Sequence, residues 1–240
     1  MKNAAKVKVS VDLVFLVDAT GSMQTSIDDL RNYIVMLMGL LDELRPVVIG
    51  SQAFVIDWRA RVCGYRDVPE DGEEWFVDNP FVSDSAALES QLDKLEAKGG
   101  GDEPESLLDG LWKVATCGAT EKGDPPDPLK WRHRYRAVRF VMVFTDATYH
   151  EEMSIGEARG GTWEDAAKVI EQELVVVSLF APDFPCYDTL AQIDRCEWEP
   201  IPFDPDAKDG AVKALREFTS DKANLRESFS VLQSVLFGSL

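Results

Sequence analysis

Two uniformly apolar runs constrain this chain most: Leu13-Val14-Phe15-Leu16-Val17 and Phe140-Val141-Met142-Val143-Phe144. The first stops at Asp18 and the second at Thr145-Asp146. A run without polar alternation suits a strand covered on both faces, as in a parallel sheet. The first strand is read over residues 7–17. Behind it, Ile27, Leu30, Ile34, Leu37 and Leu41 recur at helical spacing, and Pro46 closes that helix. Asp28 and Asp29 lie in its early turns, where the helix dipole favours acids.

The same alternation continues along the chain. Strands are expected at 47–56, 140–144, 174–180 and 197–201, with a short edge strand at 75–77. Ser83 or Asp84 caps a helix carrying Leu88, Leu92 and Leu95. Further helices are expected at 107–114, 164–172, 187–193 and 210–237, the last with a break near 219–221. Residues 65–78 and 118–130 read as loops, the latter with three prolines. Strands alternating with helices imply right-handed βαβ units. The expectation is one domain over 1–240, with its core at 7–237. Its class is α/β: a doubly wound, mostly parallel six-stranded sheet, Rossmann-like, with one short antiparallel edge strand and helices on both faces.

Charge then narrows the function. The 240 residues carry 43 acids against 25 Lys and Arg, a formal net charge of −18. Nucleic acid needs clustered bases and is not an expected partner; an anionic membrane surface is disfavoured for the same reason. The apolar stretch 174–181 is too short to span a bilayer, so no membrane insertion is expected. The first eleven residues lack the apolar region of a signal peptide. Cys63, Cys117, Cys186 and Cys196 form no Cys-x-x-Cys pair, so a structural zinc site is not expected. A reducing, cytoplasmic compartment is the expectation.

In doubly wound sheets, ligands sit outside the carboxyl ends of the strands. Three polar clusters fall there: Asp18-Ala19-Thr20-Gly21-Ser22 after strand one, Asp102-Glu103-Pro104-Glu105 after a triple glycine, and Thr145-Asp146. If the first strand and the 140–144 strand are neighbours, the three loops meet above the sheet. Their chemistry suits a hard cation. Mg²⁺ takes about six oxygens and keeps several waters. Asp18, Thr20 and Ser22 supply one carboxylate and two hydroxyls around a single turn.

At these residues the chain resembles von Willebrand factor A domains. Asp-Ala-Thr-Gly-Ser at 18–22 is similar to their metal-ion-dependent adhesion motif, Asp-x-Ser/Thr-x-Ser. Residues 102–105 are similar to the second metal loop of integrin β-subunit I-like domains, Asp-x-Pro-Glu, and 143–147 resemble the third loop. The resemblance implies a Mg²⁺ site (or Mn²⁺ or Ca²⁺) on Asp18, Thr20, Ser22, Glu105 and Asp146, the last acting through water. Asp102 is the candidate for a second cation. In the integrin domains, acids for an adjacent regulatory cation follow the first motif; Thr25 and Ser26 stand there in this chain. The resemblance further implies a non-enzymatic interaction module, in which a partner protein's Asp or Glu completes the metal shell. Intracellular members work with ATPases, kinases or stress and defence proteins.

Plainer readings compete. Asp18, Thr20 and Ser22 are good helix-capping residues, and Glu105 after Pro104 reads as a first-turn acid. A metal-dependent phosphatase or phosphoryl-transfer enzyme would use Asp18 as nucleophile. It would want a second Asp at position 20 and a lysine near Asp146; neither is present. Nucleotide binding lacks a Gly-rich loop after a strand, since Gly99-Gly100-Gly101 follows a helix. His133 and His150 read as exposed loop residues. Arg66-Asp67 reads as a surface pair, and the basic stretch 131–139 as a solvated face.

Overall fold

A computed structural model describes residues 7–43, 47–49, 52–101 and 103–237. In chain order these form β1 (Val7–Asp18), α1 (Ile27–Glu43), β2 (Val47–Ile49), β3 (Gln52–Tyr65), α2 (Val68–Asp71), β4 (Phe76–Asp78), α3 (Ser85–Asp93) and α4 (Leu107–Ala115). They continue as β5 (Val138–Phe144), α5 (Trp163–Gln172), β6 (Val175–Pro182), α6 (Tyr187–Leu190), β7 (Cys196–Ile201), α7 (Gly210–Ser220) and α8 (Lys222–Phe237).

The strands make one sheet in the order β2-β3-β1-β5-β6-β7, with β4 paired to β3 off that path. From β3 to β7 every neighbouring pair is parallel. β2 and β4 both run antiparallel to β3. The doubly wound, mostly parallel α/β fold is therefore present. The apolar run of β1 explains its central position. Val11, Leu13, Phe15 and Val17 enter the core beneath α1, α3, α7 and α8. Val14 and Leu16 enter the opposite core, beneath α4, α5 and α6. Each such side chain, fully buried, stabilises the fold by about 1.5–3 kcal/mol.

Local signals account for the element ends. The Asp84 carboxylate caps α3 by accepting from the Ala87 N–H at 2.9 Å. Asp221 breaks the last helical stretch into α7 and α8, its carboxylate accepting from the Ala223 N–H at 2.8 Å. Two readings need correction. Residues 47–56 are not one strand: β2 folds back on β3, with Ile49 opposite Gln52. The intervening Gly50-Ser51 and the helix-closing Pro46 lie outside the described residues. The stretch after Ile56 also stays in the sheet as far as Tyr65, although it carries arginines at 59 and 61.

Those arginines are tolerated because the sheet register supplies their partners. Asp12 of β1 stands opposite Arg59 of β3. Its buried carboxylate accepts from Arg59 Nε and Nη2, each at 2.8 Å, and from Arg132 Nε at 2.6 Å. Arg61 pairs with Asp78 at 2.8 Å and lies 4.7 Å from the Phe81 ring centroid. Arg139, also buried, pairs with Glu173 at 2.7 Å. The 131–139 stretch is thus only partly a solvated face: Trp131, Arg132 and Arg139 turn inward.

The chain leaves β1 toward β3 on one side, while β5 enters on the other. The switch point of the sheet is the crevice between β1 and β5, over their carboxyl ends.

Candidate metal centre

Val17 and Phe144 are register partners, so Asp18 and Thr145 leave the sheet side by side. Asp18 is wholly buried. Its Oδ1 accepts from the Thr20 N–H at 3.0 Å and from Thr20 Oγ1 at 2.6 Å. Its Oδ2 accepts from Thr145 Oγ1 at 2.8 Å and from the Tyr65 hydroxyl at 3.5 Å. Thr20 Oγ1 lies 3.1 Å from Ser22 Oγ, which donates to Asp146 Oδ1 at 3.1 Å. One polar chain therefore links the first loop to the third. Ser22 sits in a single 3-10 turn, Gly21–Thr25, ahead of α1.

The second loop closes the same pocket. Asp102 lies outside the described residues. Gly21 N–H donates to the Gly99 carbonyl at 3.0 Å, docking the first loop on the triple glycine. Gly100 takes a φ of +67°, and a Cβ there would stand 2.9 Å from Glu105 Oε1 and 3.0 Å from Thr20 Cβ. Only glycine lets the backbone come this close. Glu105 precedes α4 rather than lying in its first turn. Its N–H donates to the Thr148 carbonyl at 2.9 Å, and its carbonyl accepts from the His150 N–H at 3.0 Å. The side chain is 5% exposed, and Oε2 has no hydrogen-bond partner.

A buried carboxylate oxygen without a donor is costly, and its neighbours make it worse. Burial, then the charges of Asp18, Asp67, Asp146 and Asp71, push the Glu105 carboxyl up to about 9. Burial and the Asp18 charge push Asp146 up to about 8. Burial also raises Asp18, against the hydrogen bonds that favour its ionised form. The nearby Arg66 does not neutralise them. It donates to the carbonyls of Ala19, Glu74 and Glu96 at 3.1, 2.6 and 2.9 Å. Carboxylate and hydroxyl oxygens of this kind suit a hard cation. Among the described residues, no three His, Cys, Asp or Glu side chains form a metal-holding group by themselves. A cation here would depend on the hydroxyls of Thr20 and Ser22 as well as on carboxylates.

Several residues of the site, and the role of Thr145, escape the sequence reading. Tyr65 and Thr145 orient Asp18. Asp71 Oδ2 accepts from the Gly100 N–H at 2.8 Å and holds the glycine loop. Asp67 is not a surface partner of Arg66: its Oδ1 accepts from Ser106 Oγ at 2.8 Å and lies 2.7 Å from His150 Nε2. His150 is accordingly no free loop residue. The available signal is the Tyr65-Arg66-Asp67 run, a cluster of polar groups at the end of β3 and just beyond it. Beside Ser22 and Asp146 opens a cleft of about 690 Å³, lined by Phe184, Phe203 and Val212 and by the acids Glu103, Asp183, Asp204 and Asp209.

No family model matches the chain, and no curated protein matches it. Among solved structures it is similar to the pilus adhesin SpaC from Lactobacillus rhamnosus GG in an open conformation. That likeness has a TM-score of 0.56 and 13% identity, over 95% of this chain and 30% of that one. It is also similar to proximal thread matrix protein 1 from the mussel byssus. There the TM-score is 0.50 and the identity 12%, over 92% of this chain and 46% of that one. The chain thus spans less than half the length of either, and at these identities the likeness concerns the fold alone.

Proposed function

We propose that the chain is a metal-dependent protein-interaction module of the von Willebrand factor A type. Asp18, Thr20, Ser22, Glu105 and Asp146 would hold one divalent cation, Mg²⁺ or alternatively Mn²⁺ or Ca²⁺. The observation that carries this reading is the partnerless, buried Glu105 Oε2 among other raised carboxylates. A bound cation would supply the positive charge that the pocket lacks. It would also offer a coordination position to an Asp or Glu of a partner protein, and the cleft beside Ser22 and Asp146 leaves room for that partner.

The phosphoryl-transfer reading is weaker. Position 20 is threonine rather than a second Asp, and among the described residues no lysine hydrogen-bonds to Asp18. A cytoplasmic setting is part of the proposal and rests on four unpaired thiols. The partner class follows the resemblance: an ATPase, kinase or stress or defence protein presenting an acid. Among the described residues, no helix is long and apolar enough to cross a membrane.

Calorimetric titration of chelator-treated protein with Mg²⁺ or Mn²⁺ tests the site. About one site is expected, lost in Asp18→Ala; unchanged binding in that variant rejects the assignment. Affinity capture from the native host with and without EDTA tests the partner. Phosphatase turnover that depends on Asp18 would overturn the non-enzymatic reading.

A further inference from the structure

The basic stretch before β5 divides. Arg132 and Arg139 turn inward, whereas Arg134 and Arg136 are exposed. Arg195, just before β7, and Lys8, at the start of β1, reach the same place. These four frame a hollow of about 360 Å³ at the amino-terminal edge of the sheet. It lies at the other end of the strands from Asp18. Val138, Val176 and Leu236 line its apolar wall.

Three observations mark this hollow. Lys8 is held by Asp57 at 2.9 Å, but Arg134, Arg136 and Arg195 make no ion pair among the described residues. That is notable on a chain with 43 acids and 25 bases, where a surface arginine readily finds a carboxylate. Tyr135 is 76% exposed at the rim, beside the Arg134 guanidinium at 5.6 Å. Leu174, also on the rim, is 36% exposed and takes a φ of +54°. That backbone conformation favours glycine, yet the position keeps a large apolar side chain in solvent.

We propose that this hollow docks an acidic segment of a partner protein that also carries an apolar side chain. Its carboxylates meet Arg134, Arg136 and Arg195, since guanidinium forks match carboxylates. Its apolar side chain packs against Tyr135, Leu174 and the valine wall. The apolar half of the hollow favours a peptide over a nucleic-acid backbone. The net charge of −18 repels a long polyanion along its length. A short segment senses mainly the charges within a Debye length, about 8 Å at physiological salt. The surface is separate from the candidate metal centre and does not depend on it.

Fluorescence anisotropy tests the proposal, with intact protein in EDTA. The probe is a short fluorescein-labelled peptide with glutamates on both sides of a Leu-Phe pair. We expect saturable binding that weakens about tenfold or more in Arg134→Glu/Arg136→Glu and in Arg195→Glu. Asp18→Ala leaves it unchanged, which separates this surface from the metal centre. Equal binding of the same peptide with glutamines for glutamates overturns the proposal without recourse to any variant. So does unchanged binding in both folded charge-reversal variants. Two other occupants are also outcomes that overturn it. One is oligo-dT competing with the peptide at equal affinity. The other is a concentration-dependent rise in sedimentation mass that the Arg134→Glu/Arg136→Glu change abolishes, which would assign the hollow to a second copy of the chain.

Discussion

Glu105 is crowded by the charges of Asp18, Asp67, Asp146 and Asp71 at the candidate centre, and its protonation state decides what a substitution does. With the carboxyl pushed up to about 9, the metal-free protein holds Glu105 mostly protonated near neutral pH. Glutamine has nearly the shape of that neutral acid. Glu105→Gln should therefore change metal-free stability by less than about 1 kcal/mol near pH 7. It should weaken cation binding by about tenfold or more, because an amide supplies no charge. Thermal unfolding in EDTA and calorimetric titration read the two effects separately. A large stability loss with unaltered binding would mean that Glu105 serves packing alone. Gly100 acts through the backbone. A side chain there is strained by φ = +67° and crowds Glu105 and Thr20. Gly100→Ala should cost about 1–2 kcal/mol and also weaken the cation; urea unfolding of metal-free protein checks the first effect.

At the scale of elements, the ion network around Asp12 ties β1 to β3 and to the segment before β5. Besides its arginine contacts, the Asp12 carboxylate accepts from the Arg132 N–H at 2.6 Å, and Arg132 Nη1 reaches Asp57 at 2.6 Å. Removing the shared carboxylate leaves two buried guanidinium groups short of charge. Asp12→Ala should cost about 3–5 kcal/mol, measured by urea unfolding. The cation site should survive at permissive temperature, since Asp12 and Asp18 are separated by roughly 20 Å at about 3.3 Å per strand residue. A loss below about 1 kcal/mol would show that water screens the network. The same network explains what sequence reading could reach. Apolar runs, helical spacing and the contiguous Asp18-Thr20-Ser22 turn are local signals, and they placed β1, β5, α1 and the first loop correctly. Arg132 and Arg139 read as solvent residues because their partners Asp12 and Glu173 are distant in sequence. Tyr65 and Asp67 are hidden similarly: no local signal carries the strand past Ile56 through its arginines, so Tyr65 reads as loop although it is the last residue of β3.

Across the whole molecule, the site sets how stability responds to pH. In the folded metal-free chain, Glu105 and Asp146 titrate near 9 and 8, well above the ordinary values of 4.5 and 3.8. Between the ordinary and the raised values, the folded state holds more protons than the unfolded one, so stability falls as pH rises. The contribution is complete below about pH 4 and is lost as pH passes 8 to 9. Asp57, lowered chiefly by Lys8 and Arg132 against its burial, works in the opposite sense, but only where pH falls through its own value, below that window. Asp109 and Glu199, raised mainly by burial, add a slope of the same sign that is independent of the site. Metal-free protein should therefore unfold at lower urea at about pH 8.5 than at about pH 5.5. A cation binds the deprotonated carboxylates, so saturating Mg²⁺ should flatten or reverse most of this trend and leave the residue due to Asp109 and Glu199. Binding near pH 7 should release roughly one to two protons, counted by calorimetry in two buffers of different ionisation enthalpy. If stability in EDTA instead rises steadily across this range, the three carboxylates are not crowded as described. The absence of proton release would likewise separate cation binding from Glu105 and Asp146.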